Sequence, residues 1–146
     1  MCRSRDAWGV RLSVDPPLRE AFPGLDAHLV QVGGLHVAER DVRLDAFVPV
    51  LVQEFREHLR LETLKDEPHL RAYRDFYWRV GIDPTKIRPA SEARLRRVLQ
   101  GKELPRINTL VDAYNLASMK TRIAIAVFDA AHTHGDLRMR AVARHP

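Results

Sequence analysis

A fold of mixed helices and strands is what this 146-residue sequence predicts, and three observations predict it. Near both ends apolar residues alternate with polar ones, the spacing of a half-buried strand. From Leu44 to Met119 they recur instead every three or four positions, the spacing of helices with one apolar face. A short β-branched run, Ile123 to Phe128 (IAIAVF), then reads as a buried strand.

The totals narrow the class. The length suits one domain over residues 1–146, long enough to bury a core. Hydrophobic content of 45% and charged content of 29% fit an ordinary globular protein. No apolar run approaches the ~20 residues that span a bilayer, so no membrane partner is expected. The start, MCRSRDAWGV, carries no hydrophobic signal core, which reads as a cytoplasmic protein. Cys2 stands alone, so an internal disulfide and a multi-cysteine metal site are both excluded.

Taken in order, Trp8 to Val14 alternates as a strand and Asp15-Pro16-Pro17 ends it. Pro17 to Phe22 fits one helical turn. Ala27 to Val37 is a strand or hairpin, with Gly33-Gly34 at the turn. Leu44, Val48, Leu51, Phe55 and Leu59 then mark a core-packing helix with Asp45 as N-cap. Pro49 suits only a first turn, so that helix is expected to begin near Val48.

Pro68 to Val80 is the next helix, stopped by Gly81. It gathers Tyr73, Phe76, Tyr77 and Trp78 beside Arg71, Arg74 and Arg79. Such a cluster either packs as core with a basic outer face or stacks nucleic-acid bases. Ser91 caps a basic helix that ends before Gly101, and Asn108 caps a further helix, Thr109 to Met119. On that helix Asp112 and Asn115 share a face, either as a structural pair or as pocket lining. Leu137 to Val142 is a last strand. His132, His134 and Asp136 have only a generic metal-ligand spacing, so no metal and no cofactor are expected.

The charge is concentrated. Arg88, Arg94, Arg96, Arg97, Lys102 and Arg106 face only Glu92 and Glu103 across one short stretch, which holds most of the net +5. Such a stretch is either a solvated helix face or a surface that follows phosphates.

Several pieces also occur in a specific order. They are Tyr73-Arg74-Asp75-Phe76-Tyr77, Gly81-Ile82-Asp83-Pro84-Thr85-Lys86, Arg88-Pro89-Ala90-Ser91-Glu92-Ala93 and Arg96-Arg97-Val98-Leu99. Gly101-Lys102, Pro105, Ile107 to Asn115, Phe128-Asp129 and Gly135 to Arg140 follow. The set resembles the B3/B4 domain family, found in the beta subunit of bacterial-type phenylalanyl-tRNA synthetase and in stand-alone proteins. The core of the resemblance is residues 70–142, and the stand-alone members are the nearer match.

The resemblance implies an α+β fold around a layered sheet of the B3/B4 type, and a link to tRNA. In the synthetase the domain hydrolyses tyrosine wrongly esterified to the tRNA for phenylalanine. By the family's pattern Tyr114, Ala126 and Asp129 fall at the pocket, with Asn115 retained. Tyr114 stands where the synthetase has threonine, and Ala126 where it has histidine. Tyrosine fills space there, and alanine can neither donate nor accept a hydrogen bond. The synthetase's own editing chemistry is therefore not expected to carry over unchanged. Family members also continue past the Gly-Asp-Leu-Arg strand, so this chain is expected to be shortened on its C-terminal side. An edge left open there invites pairing with a second copy.

Three functions follow as expectations. The first is an RNA-binding protein, with tRNA as the expected partner, using Arg94, Arg96, Arg97, Lys102 and Arg106. The second is a trans-acting hydrolase of misacylated tRNA, with Asn115 and Asp112 orienting a water. The third is an interaction module without catalysis. Whether the chain is an enzyme stays open at this point.

Overall fold

Residues 9–141 are described by a computed structural model, so Cys2, Trp8 and Val142 lie outside the described residues. The secondary structure is α+β: five α-helices, two short 3-10 turns and two short strands among those residues. They divide into two compact units, one from the described parts of residues 1–35 and 127–146, the other residues 36–126.

The larger unit is helical. Its helices are α2 (Val42–His58), α3 (Pro68–Arg79), α4 (Ala90–Leu99) and α5 (Thr109–Thr121), with α1 (Pro16–Ala21) belonging to the smaller unit. Leu51 and Phe55 of α2 meet Leu70 of α3, Leu95 and Val98 of α4, and Leu116 and Met119 of α5 in one buried cluster. Leu64, in a 3-10 turn (Leu64–Asp66), completes it. Each such side chain contributes about 1.5–3 kcal/mol by leaving water.

Helix α2 starts earlier than its proline suggested. Asp41, not Asp45, is the N-cap, accepting from the backbone N–H of Arg43 at 2.8 Å and Leu44 at 3.3 Å. Pro49 lies inside the helix. An interior proline costs about 3 kcal/mol. The apolar stripe runs on both sides of it, and burial of Leu51 and Phe55 offsets that cost.

The other helices begin and end on local chemistry. Pro68 opens α3, and Glu67 accepts from the Leu70 N–H at 3.1 Å. At its end the Ile82 N–H donates to the Tyr77 carbonyl and the Gly81 N–H to the Trp78 carbonyl, with Gly81 at φ +74°. That is a Schellman closure, which needs a left-handed residue. Helix α4 ends the same way, Gly101 donating to Val98 and Lys102 to Arg97. It begins one residue before the expected cap: Pro89 holds the N-cap position, and Ser91 is buried in the first turn. Asn108 caps α5 as expected, accepting from the Val111 N–H at 2.9 Å. Arg122 ends α5 in a left-handed conformation, φ 62°. Its guanidinium donates to the Met119 and Lys120 carbonyls and lies 5.5 Å from the Phe55 ring centroid.

The smaller unit holds β1 (Leu12–Val14) and β2 (Leu137–Met139), a parallel pair with Leu12 opposite Leu137 and Val14 opposite Met139. Both strands are shorter than their alternation predicted. Asp136 accepts from the Arg11 backbone N–H at 3.0 Å and its Nε at 3.1 Å, and Arg138 pairs with Asp15.

Two expected strands do not form. Residues 27–37 carry no regular structure, and Val30 and Val32 are exposed. The segment has apolar residues on both faces and two glycines, so neither face selects a side to bury. Residues 123–128 are likewise neither strand nor helix, with Ile123 and Phe128 more than half exposed. Composition suited a strand, but no described strand lies alongside to accept its ladder bonds.

Candidate nucleic-acid interface and adjoining cavity

Helix α4 buries Ser91, Glu92, Leu95 and Val98 along one face. A carboxylate with 0% exposure in that seam needs cations. Arg74 of α3 supplies one, its Nη1 lying 3.0 and 3.1 Å from the two Glu92 oxygens. Arg96, one turn along α4, supplies the other through Nε at 2.8 Å. The Glu92–Arg96 spacing of four was legible in the sequence; the reach of Arg74 across eighteen positions was not.

The remaining cations sort by what engages them. The Arg106 guanidinium bonds Asp112 through Nε and Asp45 through Nη2, each at 2.6 Å. The hydrogen bond to Asp112 is the larger cause that raises the Arg106 pKa further above its ordinary value. Arg96 and Arg106 are thus both held by carboxylates. Arg94 is half-buried and donates to the Ala90 carbonyl at 3.1 Å. Arg97 is exposed and donates to the Glu103 carbonyl at 2.5 Å. Arg88 and Lys102 are exposed. Among the described residues, Arg88, Arg94, Arg97 and Lys102 form no ion pair. The closure at Gly101 fixes Lys102 beside the last turn of α4, so Arg97 and Lys102 stand at the same end of the helix.

Next to this cationic helix lies a shallow cavity of about 130 Å³ in the larger unit. Val48, Leu104, Leu116 and Met119 make its apolar wall, and Arg94, Arg106, Asp112 and Asn115 its polar lining. Asp112 and Asn115 therefore do meet at one cavity. They differ in what is left to give. The Asp112 oxygens accept from Arg106 Nε and from the Ile107 N–H at 3.0 Å, so both are engaged. The Asn115 amide makes no hydrogen bond to a described residue and keeps its donors and acceptor for a ligand. The arrangement can hold a small polar group against Asn115 and Arg94. It offers no uncommitted carboxylate at that spot to take a proton from water.

Tyr114, Ala126 and Asp129 are the other expected pocket residues. Tyr114 is half-buried on α5 but does not line the cavity, and Ala126 is exposed. Asp129 belongs to the smaller unit and caps its 3-10 turn (Ala130–His132), accepting from the Ala131 N–H and pairing with His132. The Ala131 N–H, and after it His132, hold the Asp129 carboxyl below its usual range. In the same unit Asp136 is engaged by Arg11. The described residues contain no group of three or more side chains fit for a metal. No helix among them is long and apolar enough to cross a membrane.

Comparison with curated proteins and with solved structures gives no match for the chain. A family model described as the B3/4 domain matches residues 72–145, a stretch that takes in most of α3 and all of α4, α5 and β2. That is just over half the chain, in the region where the ordered motifs were read, and the chain belongs to the B3/4 domain family.

Proposed function

We propose that this chain is a cytoplasmic RNA-binding domain of the B3/4 type, with tRNA the expected partner, and that α4 and the loop after it form the contact. The observation that carries this is the grouping of Arg88, Arg94, Arg97 and Lys102 within one short stretch, none in an ion pair with a described residue. Elsewhere Arg11, Arg40, Arg43, Arg71 and Lys120 are each matched to a carboxylate, while Arg19, Arg56, Arg60, Lys65, Lys86, Arg122 and Arg140 likewise form no ion pair with a described residue. What sets residues 88–106 apart is six cations against only two carboxylates, Glu92 and Glu103. Cations without carboxylate partners, two on α4 (Arg94 and Arg97) and one on either side of it (Arg88 and Lys102), suit the phosphates of a polyanion. The layered B3/B4 sheet, with the whole chain acting as one domain, is part of the same proposal.

The test is tRNA affinity against salt. With four phosphate contacts, affinity is expected to fall roughly a hundredfold between about 50 and about 200 mM salt. The double variant Arg97→Glu, Lys102→Glu changes two exposed side chains, so it should fold and should flatten that dependence. Affinity indifferent to both changes would end the reading.

A second reading is a trans-acting hydrolase of misacylated tRNA. For it the cavity supplies a seat for the ester at Asn115 and Arg94, but its described lining residues hold no free carboxylate to act as base. Release of the amino acid no faster than in buffer, and unchanged by Asn115→Ala, would remove it. The pair β1–β2 leaves both outer edges unpaired among the described residues, which supports self-association through a strand edge. Light scattering that returns only monomer would count against that.

A further inference from the structure

The aromatic cluster of α3 is sorted by the fold. Tyr73, Phe76 and Tyr77 are half-buried, and the Tyr73 hydroxyl accepts from the Ala124 N–H at 2.8 Å. Trp78 is different: it is 55% exposed. The backbone that carries it is nonetheless fixed. Its carbonyl receives the Gly81 N–H, and one turn earlier Arg74 ties α3 to the buried Glu92 of α4. The loop that follows is drawn tight by Asp83, which accepts from the Thr85 N–H and hydroxyl through its side chain and from the Lys86 and Ile87 N–H groups through its carbonyl. Lys86 lies in that turn and Arg88 follows it, eight and ten positions after Trp78 in the chain. Asp83 is the one carboxylate between Trp78 and Arg88, and this turn occupies it.

We infer that Trp78 is a stacking platform for an unpaired base of RNA, beside cations that take the flanking phosphates. This rests on the RNA-binding reading above and names the form of RNA: single-stranded, or a loop with splayed bases. An exposed indole on a fixed backbone presents a flat apolar face, and every base offers a π-face to it. Lys86 and Arg88, exposed in and just after the turn that follows the helix, match a polyanion rather than an apolar partner.

The experiment uses the full chain in a Trp8→Phe background, where Trp78 is the sole indole. A single-stranded ribo-oligonucleotide and the same strand in a duplex are titrated against its emission. The single strand should quench Trp78 strongly and the duplex weakly. Variants that keep no indole are read by the anisotropy of an end-labelled strand. Trp78→Ala should weaken single-strand binding roughly five- to a hundredfold with the salt dependence unchanged, and Trp78→Phe should recover most of it. If Trp78→Ala binds as well as the parent while Arg97→Glu, Lys102→Glu still weakens binding, stacking is overturned and the RNA reading stands. If neither strand form binds, both fall. Emission that shifts with protein concentration alone would assign Trp78 to a protein contact and overturn the inference.

Discussion

Arg74 on α3 and Glu92 on α4 are joined by one guanidinium nitrogen at 3.0 and 3.1 Å from the two carboxylate oxygens, with Glu92 closed to solvent. That contact, with Arg96 as second donor, fixes the aromatic helix against the cationic one. Breaking a buried charged network leaves the survivors desolvated and unpaired. Glu92→Gln should therefore cost about 3 kcal/mol in urea unfolding, and Arg96→Ala less, because Arg74 still faces the carboxylate. A Glu92→Gln midpoint equal to that of the parent would refute the role given to this network.

Stability and ligand binding should separate at the cavity. Asp112 holds Arg106 and the Ile107 N–H, so Asp112→Asn is expected to lose about 2 kcal/mol. Asn115 bonds no described residue, and Asn115→Ala should stay within about 0.5 kcal/mol of the parent. Chemical denaturation of the two variants decides it. A large loss in Asn115→Ala would make Asn115 a structural residue instead of a ligand contact.

Gly81 ends α3 at φ +74°, and a Cβ placed there meets nothing within 4 Å. The penalty for Gly81→Ala is then the backbone's alone, about 1 kcal/mol. Thermal unfolding should register that small loss. Single-strand quenching of Trp78 should persist in the variant. A loss of several kcal/mol would point to a contact the open space does not contain.

Acid should loosen the parallel pair. The Arg11 backbone N–H, then its guanidinium, hold the Asp136 carboxyl below the ordinary range. A carboxylate depressed in the folded state adds stability that is complete above its unfolded value, near pH 4, and is lost as pH falls through the lower folded value. The Arg11 amide resonance should therefore titrate below the range of an ordinary aspartate, and Asp136→Asn should abolish that titration. Both groups are largely solvent-accessible, so added salt should shrink the effect. An Arg11 amide indifferent to acid would disprove the link.

What the sequence by itself determined was local. The four long helices, the Asn108 cap, the stops at Gly81 and Gly101 and the family could all be read from it, because spacing, capping and glycine chemistry act within a turn or two. Tertiary structure decided the rest. Residues 123–128 had the composition of a strand, but a strand exists only where a neighbour accepts its ladder. Pro49 could stay within α2 because core contacts on both sides outweigh its missing hydrogen bond. Arg94, Arg96, Arg97 and Arg106 looked alike in sequence. Which of them faces solvent depends on carboxylates as far away as Asp45, sixty-one positions from Arg106, and only the folded chain brings those groups together.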